Sequence, residues 1–355
     1  MLIYWLLLAF PALMALAYPV GAPRGSVRGG QIFALGLFVL FYTLIGAFRY
    51  ETGGDWATYD DMFEDMRLDT LGYALTKTDP LYGALNWFSG QIGTGIYLVN
   101  GVCCLILVYG VVRVATSFRE PWLAVLIAVP YLLIVVGFGY VRQGAAIGMM
   151  LLAIASMNRA KPIRTVIYLA VAVAFHSTAA LTIPLFVFGM APRNKVLATA
   201  AGLVGAAAFV FVLAPRLDTF ELGYLEAEYD SGGAAARLVM SLLPSALIAL
   251  RWRYFVAGAK VRPVWLMMAL ANFVAIVALA VSPSSTAVDR VALFFSVIQM
   301  AAFGEFRALA GVSDRMAQLV RLALIGVAIA VQSVWLIFGT HALFWVPYQS
   351  VFENL

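Results

Sequence analysis

The chain has 355 residues, 63% of them apolar and only 12% charged, with a net charge of +5. A soluble domain carries about 25% charged residues, so a water-soluble globular fold is excluded. Apolar runs of roughly 17–20 residues recur, the length that crosses a hydrocarbon core of about 30 Å. The composition is that of an all-α, polytopic membrane protein, with residues 1–355 forming one integral membrane domain.

Taken in chain order, the first run covers residues 2–20. No basic residue precedes it, and Arg24 and Arg28 follow it, so it reads as a retained span rather than a cleaved leader. Further spans are expected at 31–48, 94–112, 121–138, 140–157, 196–214, 237–250, 264–281, 288–304 and 321–339. Residues 165–190 are flanked by basic loops on both sides, yet are short for two full crossings. They form either a pair of short helices turning near His176 or one tilted helix. The pair gives about twelve spans.

Lys and Arg concentrate on the cytoplasmic side of membranes. The loops at 21–30, 113–120, 158–164, 191–195, 251–263 and 305–321 hold sixteen basic and three acidic residues, leaving seven basic and fifteen acidic elsewhere. That segregation makes the acidic loops external. The first external loop is 49–93, with eight acidic and three basic residues. The second is 215–236, with five acidic residues and Arg216. Within the first, Trp56, Tyr59, Met62, Phe63 and Met66 make one helical stripe, so a short amphipathic helix is expected on the outer surface.

Polar groups in this setting carry the chemistry, because charge at membrane depth is expensive. Arg49, Arg142, Arg237 and Arg290 sit at outer span ends. Guanidinium offers a rigid fork of donors that matches phosphate oxygens and keeps its charge. Gln143 stands beside Arg142. His176 is embedded in AVAFHSTAALTIP and suits proton transfer near neutral pH; a hydrogen-bonded core histidine is the plainer reading. Asp55 follows Gly53–Gly54 at the membrane exit, in RYETGGDWATYDDMF, where the backbone can turn tightly against a ligand. For Arg142 the alternative is a snorkelling side chain, and for Arg290 a surface pair with Asp289. No GxxxxGK[ST] or GxGxxG loop, calcium loop or Cys/His cluster occurs. Cys103 and Cys104 read as buried hydrophobes. No metal, cofactor or nucleic acid is expected.

Four elements then fall in a familiar order. They are Arg49, Gly54, Asp55, Tyr59 and Phe63; the RQ pair Arg142–Gln143; FHSTAA around His176; and a late Pro347–Tyr348. This set resembles the EpsG family of bacterial Wzy-type polysaccharide polymerases. The serine of FHSTAA, Ser177, stands one place earlier than in the family's element.

The resemblance implies a GT-C-like membrane glycosyltransferase in the bacterial cytoplasmic membrane, with its site facing the exterior. The substrate would be an oligosaccharide carried on undecaprenyl pyrophosphate, and the growing chain would pass to a sugar hydroxyl of the incoming unit. Arg49, Arg142, Gln143, Arg237, Arg290, Tyr59 and Tyr348 would bind substrate and pyrophosphate. His176 or Asp55 would be the base, and Asp55 could instead hold a hydroxyl or pair with an arginine. Partners would include membrane lipid, a flippase and a chain-length regulator. Rival readings are an O-antigen ligase-like transferase and a transporter of lipid-linked sugars. A transporter would favour charges deep within spans and repeated halves, and neither is visible.

Overall fold

The computed structural model describes all residues except 20–21, 23–26, 28, 191–194, 197–198, 200–201, 204–232, 256–257, 259, 282–284, 340 and 354–355. Most of the span expected at 196–214 and most of the 215–236 loop lie outside the described residues.

The described elements run α1 (Leu2–Ala17), α2 (Gly30–Ala47), β1 (Arg49–Tyr50), α3 (Trp56–Arg67), α4 (Leu71–Lys77), α5 (Pro80–Gln91), α6 (Gly95–Ala115), α7 (Pro121–Ala128), α8 (Gly137–Gly139), α9 (Val141–Asn158), α10 (Pro162–Phe175) and α11 (Ile183–Met190). After the undescribed stretch come α12 (Ala234–Arg251), α13 (Arg262–Val281), α14 (Ser285–Ala292), α15 (Ile298–Gly304), α16 (Phe306–Ala310), α17 (Asp314–Phe338) and β2 (Gln349–Ser350). Hydrocarbon offers no partner to a free N–H or C=O, so helices are the spanning form available to such runs. Proline opens α5, α7 and α10, where its missing donor is not needed. Among the described residues, six helical segments are long and apolar enough to cross a membrane: Gly30–Ala47, Gly95–Ala115, Pro121–Gly139, Ala234–Arg251, Arg262–Val281 and Asp314–Phe338. The chain is an all-α membrane protein, and its described residues include one two-stranded ribbon.

The core is built around α9. It meets α6 where Gly110 faces Gly148: a Cβ on Gly110 would fall 2.4 Å from the Gly148 carbonyl oxygen. Small residues at a crossing let two backbones approach and gain dispersion contact. Helix α10 runs back along α9, with Thr165 Oγ1 donating to Ala153 O at 3.4 Å. It stops at His176, whose backbone is extended. A 3₁₀ turn, Ser177–Thr182, then leads into α11. Gly189 near the end of α11 packs on Met157 and Val264, which lie at the end of α9 and the start of α13. Residues 162–190 are therefore a pair of short helices turning at His176.

Two expected spans are broken. Residues 121–139 change to π-helix over Val129–Val136, starting beside Pro130, which cannot donate to the helix ladder. Residues 288–304 split into α14 and α15, with turns at 293–297. There Ser296 Oγ donates to Leu293 O at 2.8 Å and Asn272 Nδ2 to Phe295 O at 3.4 Å, so side chains satisfy carbonyls that a helix would have bonded.

The 49–93 segment folds as α3, α4 and α5. The expected amphipathic stripe is turned into the protein: Trp56, Tyr59, Phe63 and Met66 are buried, and Tyr59 meets Tyr82 edge-on at 5.8 Å. Its entrance is tied to the chain's late residues. Arg49 pairs with Ser350 and Tyr50 with Gln349 in an antiparallel ribbon. Gly53 N donates to Phe344 O at 2.8 Å, and Tyr348 Oη to Ile45 O at 2.8 Å. Gly53 has φ +112, and a Cβ there would meet Phe138 O at 2.7 Å, so only glycine fits. Trp345 lies over Gly54 and Gly139. At the opposite end of the bundle a buried pair, Arg321–Glu120 at 2.7 Å, is completed by Arg321 Nη1 donating to Tyr18 O at 2.8 Å.

Candidate active site

The chain breaks at His176, at 293–297 and at Tyr140 gather polar side chains beside the 49–93 segment. Asp79 links the first of these to the start of α9. It is the N-cap of α5, a position whose carboxylate usually accepts from the next turn's amides. Here it makes no cap bond. Instead Asp79 Oδ2 accepts from Arg142 Nη1 at 3.1 Å and lies 3.2 Å from His176 Nδ1, while Oδ1 accepts from Ser177 N at 3.1 Å. Its side chain is 1% exposed. Arg142 Nη1 also donates to Thr78 Oγ1 at 2.7 Å, and its guanidinium lies over the rings of Tyr59 and Tyr82 at 5.8 and 5.7 Å. The His176 ring stacks parallel to Phe294, 6.5 Å between centroids. That contact joins the short hairpin to the broken α14–α15 segment.

Next to this group stands Arg290. Its guanidinium lies 4.2 Å above Tyr140, Nη2 is 3.7 Å from Asp55 Oδ2, and its backbone carbonyl accepts from Gln143 Nε2 at 2.5 Å. Burial raises the Asp55 carboxyl above the ordinary aspartate range, and the charges of Arg290 and Arg142 oppose that rise. Arg142, Arg290, His176, Asp55, Gln143 and Tyr59 are thus brought together, two of them, Arg142 and Gln143, in the first turn of α9, the positive end of its dipole.

Arg237 forms an adjoining centre. It holds Asp289 by two bonds, Nε to Oδ1 at 2.7 Å and Nη2 to Oδ2 at 2.5 Å, and covers Tyr131 at 5.6 Å. The expected Asp289–Arg290 surface pair is replaced: consecutive helical residues point about 100° apart, so Asp289 serves Arg237 while Arg290 faces Asp55.

Two expected substrate contacts lie apart. Arg49 is fully buried. It donates to Thr52 O at 2.5 Å and Asn100 Oδ1 at 2.9 Å and sits 4.9 Å from the Trp56 ring. Its guanidinium binds the loop entrance to α6 and offers no face to a phosphate in solvent. Tyr348 spends its hydroxyl on Ile45 O, beside the ribbon. Nothing in the sequence marks Asp79 or Thr78, because Asp79 is one of eight acidic residues in its segment and precedes a helix-opening proline. Cys103 and Cys104 are free and buried. Among the described residues no group of His, Cys, Asp or Glu is arranged to hold a metal ion.

Chemically, the arrangement offers a base and an anion seat. An ionised carboxylate only accepts hydrogen bonds, so Asp79 fixes the proton of His176 on Nδ1 and leaves the Nε2 lone pair to take a proton. Arg142 and Arg290 offer charged donors to an anion.

Fold and site together define a polytopic helical membrane protein with an arginine-lined His–Asp site at one end of its bundle. Residues 32–350 match the EpsG family, and the chain belongs to that family. Membership suggests a polysaccharide-polymerase type of enzyme. No curated protein and no solved structure matches the chain.

Proposed function

We propose that this protein polymerises lipid-linked oligosaccharide repeat units at the outer face of the bacterial cytoplasmic membrane. The observation that carries this reading is the junction of Arg142, Asp79 and His176, with Arg290 alongside. The donor is a glycan on undecaprenyl pyrophosphate, and the acceptor is a hydroxyl of the incoming unit. The acceptor oxygen bonds to the donor's anomeric carbon as the bond from that carbon to the pyrophosphate oxygen breaks. The hydroxyl proton passes to His176 Nε2, and Asp79 stabilises the imidazolium formed. The leaving pyrophosphate gathers charge, and Arg142 and Arg290 meet it there. Donors already aimed at developing charge lower a barrier most, because nothing has to reorganise at the moment of reaction. Asp55 steers Arg290, and Tyr59 walls the site.

In this reading about twelve helices cross the membrane in a GT-C-like arrangement, with the 49–93 segment outside. A flippase delivers the units, and a chain-length regulator acts beside the enzyme.

The test uses a strain deleted for the gene and complemented with wild type, His176→Ala, Asp79→Asn or Arg142→Ala at equal membrane abundance. Deletion should leave single lipid-linked units that purified wild type converts to a ladder. Loss of a general base lowers rates by about 10²–10⁴-fold, so His176→Ala should yield almost none. Units held on the cytoplasmic face of the deletion strain would instead make the protein a flippase and end this proposal.

A further inference from the structure

We infer that the groove between α12, the π-helical segment and α17 seats the polyisoprenoid tail of the lipid-linked substrate; this rests on the reading of the neighbouring site as one for a lipid pyrophosphate. The groove has a volume of about 300 Å³, the lower end of the range in which ligand sites fall. Its walls include Pro130, Tyr131, Val239, Leu243, Pro244 and Val327. Val239, Leu243 and Val327 are 60%, 61% and 49% exposed, so the groove opens sideways, on the face a spanning helix turns to lipid.

Two prolines shape it. Pro244 lies inside α12, and Pro130 sits at the start of the π-helical segment. Each removes a backbone donor and bends or swells its helix.

What marks the occupant is the groove's other end. Tyr131, Met240 and Gln299 line both the groove and the small polar pocket holding Arg237 and Asp289. Tyr131 is also the ring under the Arg237 guanidinium. Asp289 is followed directly by Arg290, which faces Asp55. The apolar groove thus adjoins the Arg237–Asp289 pair, and Arg290 follows Asp289 in the chain. That sequence of surfaces matches one molecule: a single long hydrocarbon chain ending in a phosphate-bearing head. A groove of about 300 Å³ has room for part of one hydrocarbon chain rather than for two side by side, which favours a polyisoprenoid over a two-tailed phospholipid.

The experiment uses the full chain, purified into lipid nanodiscs, and a polyprenyl pyrophosphate carrying a photoreactive group in its tail. Labelled peptides are mapped by mass spectrometry. Label should fall on the stretch from Val239 to Pro244 and around Val327. Unlabelled polyprenyl pyrophosphate should displace it, and excess phosphatidylglycerol should not. Leu243→Trp and Val327→Trp place bulk at the outward-facing mouth and leave the core untouched. Each should weaken labelling roughly tenfold, equivalent to about 1.4 kcal/mol, while the protein stays monodisperse. Equal displacement by phosphatidylglycerol, or unchanged labelling in both variants, would overturn the inference. Polymer formation is scored separately on the same preparations. Protein that binds this way but builds no ladder refutes the polymerase reading and keeps the groove; a ladder with labelling unchanged in both variants does the reverse.

Discussion

At Asp79 a helix N-terminus and a site compete for one carboxylate, and the site takes it. The side chain gives up the α5 cap to face Arg142, His176 and Ser177. Asp79→Asn keeps the shape but removes the charge, leaving the His176 tautomer unfixed and Arg142 less balanced. We expect polymer yield to fall at least as far as in Arg142→Ala, with the protein still inserted, measured by ladder formation at matched abundance. Asp55 should behave differently. Its folded-state carboxyl titrates above its unfolded value because of burial. The folded state therefore binds the proton more readily, and stability declines as pH rises from the ordinary aspartate range through that higher value. Asp55→Asn should raise the melting temperature at neutral pH, the gap to wild type should shrink on acidification through the titration, and activity should drop. A melting series against pH in detergent checks it; a gap that widens on acidification refutes it. Arg142, Arg290, His176 and Asp55 were legible in the sequence because each is a polar exception beside hydrocarbon. Asp79 was not, since its burial is made by three segments distant in sequence. Arg49 shows the converse: it lies at a span end like the others, and the fold turns it inward.

At the scale of elements, hydropathy located the long helices well and their interruptions poorly. Residues 293–297 read Leu-Phe-Phe-Ser-Val, as apolar as any helix, and what breaks them is bonding from Ser296 and from Asn272 on another helix. The turn at His176 was more readable, because two basic flanks demanded a return within a short stretch. The ribbon between β1 and β2 gave no periodic signal, being two residues on each side. Its neighbour Trp345 is buried against Gly54 and Gly139, one residue before Asp55 and three before Arg142. Emptying a buried tryptophan site costs about 3–5 kcal/mol. Trp345→Ala should thus lower thermal stability and abolish polymer formation, while Trp345→Phe restores most of both. Full activity in Trp345→Ala would mean the ribbon does not position the site.

Across the whole molecule, polar bonding is gathered at both ends of the bundle. Opposite the site, Arg321 and Glu120 are nearly solvent-free and tie α17 to α7 and to Tyr18 after α1. Removing one partner of a buried pair typically costs about 3–5 kcal/mol, whereas replacing both by apolar residues is often neutral. Glu120→Ala should deplete the protein from membranes, and Glu120→Leu with Arg321→Met should bring it back with catalysis intact. Immunoblot and ladder assays on the same strains decide it. The ribbon at the other end sets an order of assembly. Ile45 and Tyr348, which it brings together, are 303 residues apart, and synthesis proceeds at about 5–20 residues per second. The loop entrance is therefore made roughly 15–60 s before its strand partner exists. Throughout that interval the loop entrance ahead of Asp55 lacks its partner strand, so a chain that ends within α17 leaves an inserted bundle whose first loop has never been tied down.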